Sequence, residues 1–175
     1  MTPAILDPER QFLGCLMQLA TDPARRLLAG MQANDLGSPV AADVLRLAIE
    51  SVATDQAPTP LVLLDRAWET TDMRPWTGGP RRLHTLGLWI ADTYHHAPFA
   101  PAASGAWLKT LVLKAAWRRV VHAHGLRLMQ AVKQECPTES VYALTDDTSR
   151  VDDLWDRYQA ARNQIGDSTR LEVVA

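Results

Sequence analysis

The sequence predicts an all-α protein, and two observations carry this prediction. Apolar residues recur at intervals of three and four positions, and no stretch sustains the strict alternation that a half-buried strand needs. A residue with a side-chain oxygen also stands directly before proline at Asp7-Pro8, Asp22-Pro23, Ser38-Pro39 and Thr59-Pro60. Such an oxygen accepts a hydrogen bond from the first helical turn, and proline fits that turn because its missing N–H is not needed there. Each pair therefore predicts the start of a helix.

Each predicted start is followed by an apolar stripe, over residues 12–20, 24–31, 40–52 and 61–68. In the fourth helix the stripe is Leu61, Leu64, Ala67 and Trp68. A fifth helix is expected after Gly78-Gly79-Pro80, with Leu83, Leu86, Trp89 and Ile90 facing inward. Two prolines in residues 94–103 predict a loop after it. These five helices form a predicted head over residues 1–104.

Residues 104–133 read as one long helix with two apolar sectors when they are projected at about 100° per residue. The first sector is expected to pack against the last helix as an antiparallel hairpin, over residues 105–166. Its candidate packing residues are Leu113, Trp117, Val121 and Leu128 on the long helix, and Leu154, Trp155 and Tyr158 on the last one. Gly166 is expected to end that helix and to leave a flexible tail at 167–175. Head, hairpin and tail together are expected to make one structural domain.

The second apolar sector of the long helix is a candidate self-association surface. Its residues are Leu108, Leu111, Val112, Leu126 and Met129. A helix of about 28 residues spans roughly 40 Å, which is more than a head of short helices is expected to cover. We therefore expect a homo-oligomer, a dimer or a ring. The alternative is that the helix is buried entirely within its own domain, because composition alone does not distinguish a core from an interface.

Composition indicates a globular chain and disfavours several functions. The 175 residues are 47% hydrophobic and 22% charged, with a formal net charge of −2. A protein that neutralises many phosphates usually has a positive excess, so we expect direct nucleic-acid binding to be weak or lacking. No apolar run approaches the roughly 18 residues of a membrane span, and the start does not read as a secretory signal. We expect a cytoplasmic protein without a membrane partner.

The residues that could carry chemistry do not form a recognisable site in the sequence. His95 and His96 lack a nearby ligand at metal-binding spacing, and His124 reads as a hydrogen-bonded core histidine. Cys15 reads as an inert core residue, and Cys136 as exposed. We therefore expect no catalytic residue, metal or cofactor. Two charged sets remain, the basic Lys109, Lys114, Arg118, Arg119 and Arg127, and the acidic Asp146, Asp147, Asp152, Asp153 and Asp156. Their complementarity could set how two hairpins pair.

Three stretches resemble the amino-terminal domain of DnaB-type replicative DNA helicases. Glu-Arg-Gln-Phe-Leu-Gly-Cys-Leu-Met at 9–17 is similar to the opening helix of that family. Residues 43–69 resemble its two consecutive helices with a short proline-containing link, and Gly-Gly-Pro-Arg-Arg-Leu-His-Thr-Leu at 78–86 matches its Gly-Gly-x-x-x-Leu-x-x-Leu. The residues that match these motifs are Glu9, Leu13, Gly14, Gly78, Gly79, Leu83 and Leu86. The resemblance covers roughly residues 7–165.

The resemblance implies a non-catalytic collar, in which heads and helical hairpins pair between subunits and receive primase or a helicase loader. The sequence departs from the family at 35–37, where Asp-Leu-Gly replaces Asp-Phe-Tyr, and at 111–116, which carry fewer charges than expected. It also lacks the Gly-x-x-x-x-Gly-Lys-[Ser/Thr] loop that cradles nucleotide phosphates, so this chain is not expected to be the motor. The chain is then either part of a helicase or a stand-alone protein.

Four alternatives to the collar domain remain open from the sequence. The chain could be the helicase-binding end of a primase, whose fold is similar, or a stand-alone regulator that docks on a replicative helicase. A small helical enzyme would need convergent polar groups, which the sequence does not assemble. A DNA-binding regulator is disfavoured by the net charge.

Overall fold

The computed structural model describes residues 7–71 and 79–173, with side chains described as far as residue 165. Over these residues the fold is all-α and contains no strand, which confirms the predicted class. The helices are α1 (Pro8–Met17), α2 (Thr21–Leu28), α3 (Pro39–Ala53), α4 (Pro60–Thr70), α5 (Gly79–His95), α6 (Pro101–Lys133), α7 (Thr138–Asp146) and α8 (Ser149–Val173). A single 3-10 turn, Ala33–Asp35, lies between α2 and α3.

The helix starts follow the predicted cap-proline pairs with one exception. Asp7 caps α1 by accepting hydrogen bonds from the amides of Glu9 and Arg10, and the Thr59 hydroxyl accepts from the first turn of α4. Ser38 occupies the cap position of α3, but its hydroxyl makes no capping hydrogen bond. Helix α2 begins at Thr21, so the start predicted from Asp22-Pro23 was wrong by about two residues. Proline is tolerated throughout a first turn, because those amides have no partner within the helix.

Two predicted helix ends were also wrong. Helix α5 continues to His95 and α6 begins at Pro101, so the connection is shorter than the predicted loop at 94–103. Helix α8 continues past Gly166 to Val173, so residues 167–173 of the predicted tail are helical, and its last two residues, 174–175, lie outside the described residues. An interior glycine costs a helix only about 1 kcal/mol relative to alanine, and no proline follows it.

The chain divides into two compact units, residues 1–112 and 113–175, where the sequence suggested a single domain with a boundary after residue 104. The first three turns of α6 therefore belong to the first unit. Gly105 permits this, since a Cβ there would lie 2.9 Å from Cδ2 of Leu27 in α2. The core of the first unit is formed by fully buried apolar side chains, among them Phe12, Leu13, Leu16, Leu45, Leu63 and Ile90.

Candidate interaction surfaces

Three of the six described motif residues lie on α1 and have identifiable structural roles in the first unit. The Glu9 carboxylate accepts a hydrogen bond of 2.9 Å from the amide of Gly37 and a longer one from Ser38, so α1 holds the start of α3. Leu13 is fully buried. Gly14 allows α1 to approach the end of α5, because a Cβ there would lie 2.9 Å from both the Cβ of Ala97 and the carbonyl oxygen of Thr93.

The remaining motif residues lie at the start of α5. Gly79 is buried, whereas Leu83 and Leu86 are half-buried. All three line a cleft of about 250 Å³ that also contains the ion pair between Arg82 and Asp43, 2.5 Å apart. Gly78 lies outside the described residues.

Exposed apolar side chains form one surface in the second unit, where α6 passes α7. We call it the α6/α7 groove. It has a volume of about 390 Å³ and is lined by Leu128, Met129, Val132, Lys133, Val141 and Thr145. Leu126, Tyr142 and two of the lining residues, Met129 and Val132, are strongly exposed. A contiguous apolar patch on a surface is typical of a site for another molecule.

The predicted self-association residues do not form a single exposed face. Leu108 and Val112 are buried in the first unit, and Leu111 is half-buried, so the prediction was wrong for the start of α6. The physical reason is the close approach of α6 to Leu27 of α2 at Gly105, which packs these turns against the other helices of the first unit. Leu126 and Met129 are exposed, as a self-association surface requires.

The predicted hairpin residues include a contact between α6 and α8. The rings of Trp117 and Trp155 lie 5.2 Å apart, and Tyr158 continues the cluster at 5.6 Å from Trp155. Leu113 and Leu154 are buried, whereas Val121 is partly exposed. Leu128 lines the α6/α7 groove.

Two polar atoms on α6 are buried without a partner. Within the described residues, neither Nε1 of Trp117 nor Nδ1 of His124 makes a hydrogen bond. The sequence-based interpretation of His124 as a hydrogen-bonded core histidine was therefore wrong for Nδ1. A buried unpaired donor or acceptor costs about 1–3 kcal/mol, so these atoms lower the stability of the second unit.

A second exposed apolar surface lies in the first unit, between α4 and α5, and sequence reasoning missed it. We call it the α4/α5 groove. Its volume is about 540 Å³, and its lining includes Leu64, Trp68, Leu83, His84, Gly87 and Leu88. Leu61 and Trp68 were predicted to face the core but are 80% and 57% exposed. Ala67 of the predicted stripe is buried as expected, and Leu63, which lies outside that stripe, is buried beside it, because the neighbouring helices contact that side of α4.

The basic residues of α6 do not share one environment. Lys109, which belongs to the basic set of the sequence analysis, is buried in the first unit, and its Nζ donates a hydrogen bond of 2.6 Å to the carbonyl oxygen of Ala29. Burial lowers the pKa of Lys109, and the charge of Asp35 partly opposes this. Lys114, Arg118, Arg119 and Arg127 are exposed on the later turns.

The acidic residues around the start of α8 lie on the surface. Asp146, Asp147, Asp152, Asp153 and Asp156 are exposed, and Asp153 pairs with Arg157 at 3.0 Å.

His95 and His96 contact each other edge to face, with their ring centres 5.2 Å apart. Across the described part of the chain, His, Cys, Asp and Glu side chains form no group of three that could hold a metal ion.

The fold and these surfaces define an all-α protein with one exposed apolar groove described in each of its two units. Comparisons with known protein families, with characterised proteins and with solved structures give no match to this chain. Among the described residues, every helix is too short or too polar to cross a membrane.

Proposed function

We propose that the protein is a non-catalytic oligomerisation and docking module of DNA replication, similar to the amino-terminal collar domain of DnaB-type helicases. The observation that carries this proposal is the exposed α6/α7 groove. It lies on the long helix that follows the head, in the region where the resemblance implies that hairpins pair between subunits. The order of the three motifs along the chain supports the same assignment.

Burial of the α6/α7 groove against a second copy supplies the free energy of assembly. Full burial of one Val, Leu or Met side chain is worth about 1.5–3 kcal/mol. Association of two molecules costs about 4–15 kcal/mol, so several of these side chains must become buried together. Leu126, Met129, Val132 and Tyr142 are exposed and available for this.

Complementary charges favour one arrangement of two copies over others. Arg118, Arg119 and Arg127 of α6 are exposed, as are the aspartates around the start of α8. Pairing the basic set of one copy with the acidic set of the next fixes register and partner choice more than affinity. Assembly is therefore expected to weaken as salt concentration rises.

The test of self-assembly is the solution mass by light scattering, over a range of protein concentrations. The wild type is expected to form a dimer or larger assembly, and Met129→Asp is expected to lower the mass to that of one chain. Leu61→Asp is the matched control, since Leu61 is exposed but lies in the first unit. Helicity by circular dichroism should be the same in all three. A wild type that stays monomeric at high concentration contradicts the proposal.

The docking partner is tested separately by binding to immobilised proteins. Purified DnaB-type helicase and purified primase, both from the cell that makes this chain, are presented at equal density. Saturable binding to either one supports the docking role and identifies the side of the assembly on which the chain acts. Binding to neither contradicts docking, whatever the outcome for self-assembly.

A further inference from the structure

We infer that the α4/α5 groove receives an amphipathic helix of a partner protein, and that this helix carries basic residues along one edge of its apolar face and acidic residues along the other. The inference rests on the proposed docking function. It adds the place on the head where the partner binds and the chemistry by which it is recognised.

The floor of the groove suits the apolar face of a helix. Gly87 of α5 has no side chain and lies in the floor of the groove, where a Cβ would be in ordinary contact with Cδ2 of Leu64 in α4, at 3.5 Å. The volume of about 540 Å³ is within the range of about 300–1,000 Å³ that is usual for binding pockets. An amphipathic helix fills such a groove with side chains at positions i, i+3 or i+4, and i+7.

The walls of the groove expose unusually large apolar side chains. Trp68 on α4 is 57% exposed, and Leu88 on α5 is 61% exposed. Tryptophan is among the residues that most often dominate binding energy, because it buries a large rigid area when a partner covers it. Trp68 is therefore expected to be the main anchor of the partner helix.

The two rims of the groove carry opposite charges. Projection at about 100° per residue places Asp65 and Glu69 on the outer edge of α4 and Arg81 on the outer edge of α5. All three side chains are exposed. Among the side chains described, in 7–71 and 79–165, no ion pair involves any of them. One rim thus carries two carboxylates, and the other carries the guanidinium of Arg81.

A partner helix complements both rims only if its two edges differ in charge. Reversing the direction of such a helix would exchange its edges and place like charges together. Charge therefore selects both the kind of helix and its direction in the groove. This complementarity is the reason for assigning the groove to an amphipathic helix with one basic and one acidic edge.

The probe is a fluorescein-labelled designed peptide of about 18 residues, long enough to form a helix. It carries leucines along one face, lysines along one edge of that face and glutamates along the other. Its dissociation constant for the full chain is measured by fluorescence anisotropy. Trp68→Ala is expected to raise this constant at least about tenfold, which corresponds to one anchor residue. Trp107→Ala is the matched control. Trp107 is as exposed as Trp68, at 56%, but it lies on α6 and does not line the groove, so its removal is expected to leave the dissociation constant unchanged.

The charge of the rims is tested by reversing one of them. Asp65→Lys combined with Glu69→Lys makes both rims basic. This variant is expected to lose its preference for the mixed peptide and to bind a second peptide, with glutamates on both edges, several times more tightly than the wild type does. An unchanged preference between the two peptides overturns the inference.

Other outcomes overturn the inference and leave the proposed function standing. If Trp68→Ala and Trp107→Ala weaken binding of the mixed peptide equally, the peptide adsorbs nonspecifically. Lack of peptide binding, together with a lower solution mass for Trp68→Ala, would assign the groove to a second copy. The variant Met129→Asp separates the two proposals, since it is expected to bind the mixed peptide normally even after self-assembly is lost.

Discussion

The guanidinium of Arg10 on α1 lies 2.5 Å from the carboxylate of Asp92 on α5. The Nε of Arg10 also donates a hydrogen bond of 3.2 Å to the hydroxyl of Thr93, and the guanidinium lies 5.0 Å from the centre of the Trp89 ring. Arg10 is buried, whereas Asp92 is about half exposed. A single side chain therefore joins α1 to α5 through an ion pair, a hydrogen bond and a ring contact.

Replacement of Arg10 by alanine is expected to lower the free energy of unfolding by about 2–4 kcal/mol, because a buried charged network and its packing are lost together. Urea denaturation followed by circular dichroism measures this change. The matched control is Arg46→Ala, which removes an ion pair with Glu50 within α3. Such pairs at positions i and i+4 contribute only about 0.3–0.5 kcal/mol. Equal losses for the two variants would contradict a special role for Arg10.

The buried Lys109 predicts a pH dependence of stability. Its pKa in the folded chain is lowered from the ordinary value of 10.5, first by burial. The unfolded chain therefore binds more protons than the folded chain in the window between the lowered pKa and 10.5. In that window, the contribution of Lys109 to the free energy of unfolding rises as pH increases.

The pH dependence is measured as a difference between the wild type and Lys109→Met. Urea denaturation of both proteins at neutral pH and near pH 10 cancels the titration of the other groups. The wild type is expected to gain stability relative to the variant at the higher pH. A difference that stays constant with pH would show that Lys109 titrates equally in the folded and unfolded chains.

The two cysteines are expected to react at very different rates. Burial raises the pKa of Cys15 to about 11, so little reactive thiolate forms near neutral pH, and the side chain is also fully enclosed. Cys136 is half-buried at the end of α6. A coloured disulfide reagent under native conditions measures this. The variant Cys136→Ser, which keeps only Cys15, should react slowly, and Cys15→Ser, which keeps only Cys136, should react quickly. In denaturant the two variants should react at similar rates, because both thiols are then exposed.

Local signals predict the helix starts better than they predict the exposed surfaces. The cap at Asp7 was predictable because the carboxylate and the amides that it accepts from are two and three residues apart. The exposure of Trp68 was not predictable, because periodicity shows that α4 has an apolar side but not how much of that side its neighbours cover. Burial of a stripe is decided by tertiary packing.

The long helix α6 illustrates the same limit within one element. Leu108 and Met129 belong to the same apolar sector in projection, yet Leu108 is buried and Met129 is exposed. The difference arises because Leu108 belongs to the first unit and Met129 to the second. Gly105 is a sequence feature that could have indicated this, since glycine permits a close approach of another helix.

The approach of α1 to the end of α5 predicts that Gly14 does not tolerate a side chain. The Cβ of Gly14→Ala would meet the Cβ of Ala97 and the carbonyl oxygen of Thr93, both at 2.9 Å. The carbonyl belongs to the backbone and has little room to move, so the helices must separate. Forcing an extra methyl group into such a contact costs about 1–3 kcal/mol.

The matched control for Gly14→Ala is Gly125→Ala on α6, where no atom lies within 4 Å of the new Cβ. This variant is expected to gain roughly 0.5–1 kcal/mol, because alanine loses less conformational entropy than glycine in a helix. Urea denaturation of the two variants should therefore give changes of opposite sign. A stability gain in Gly14→Ala would show that α1 and α5 lie farther apart in solution than the contact between Gly14 and Ala97 requires.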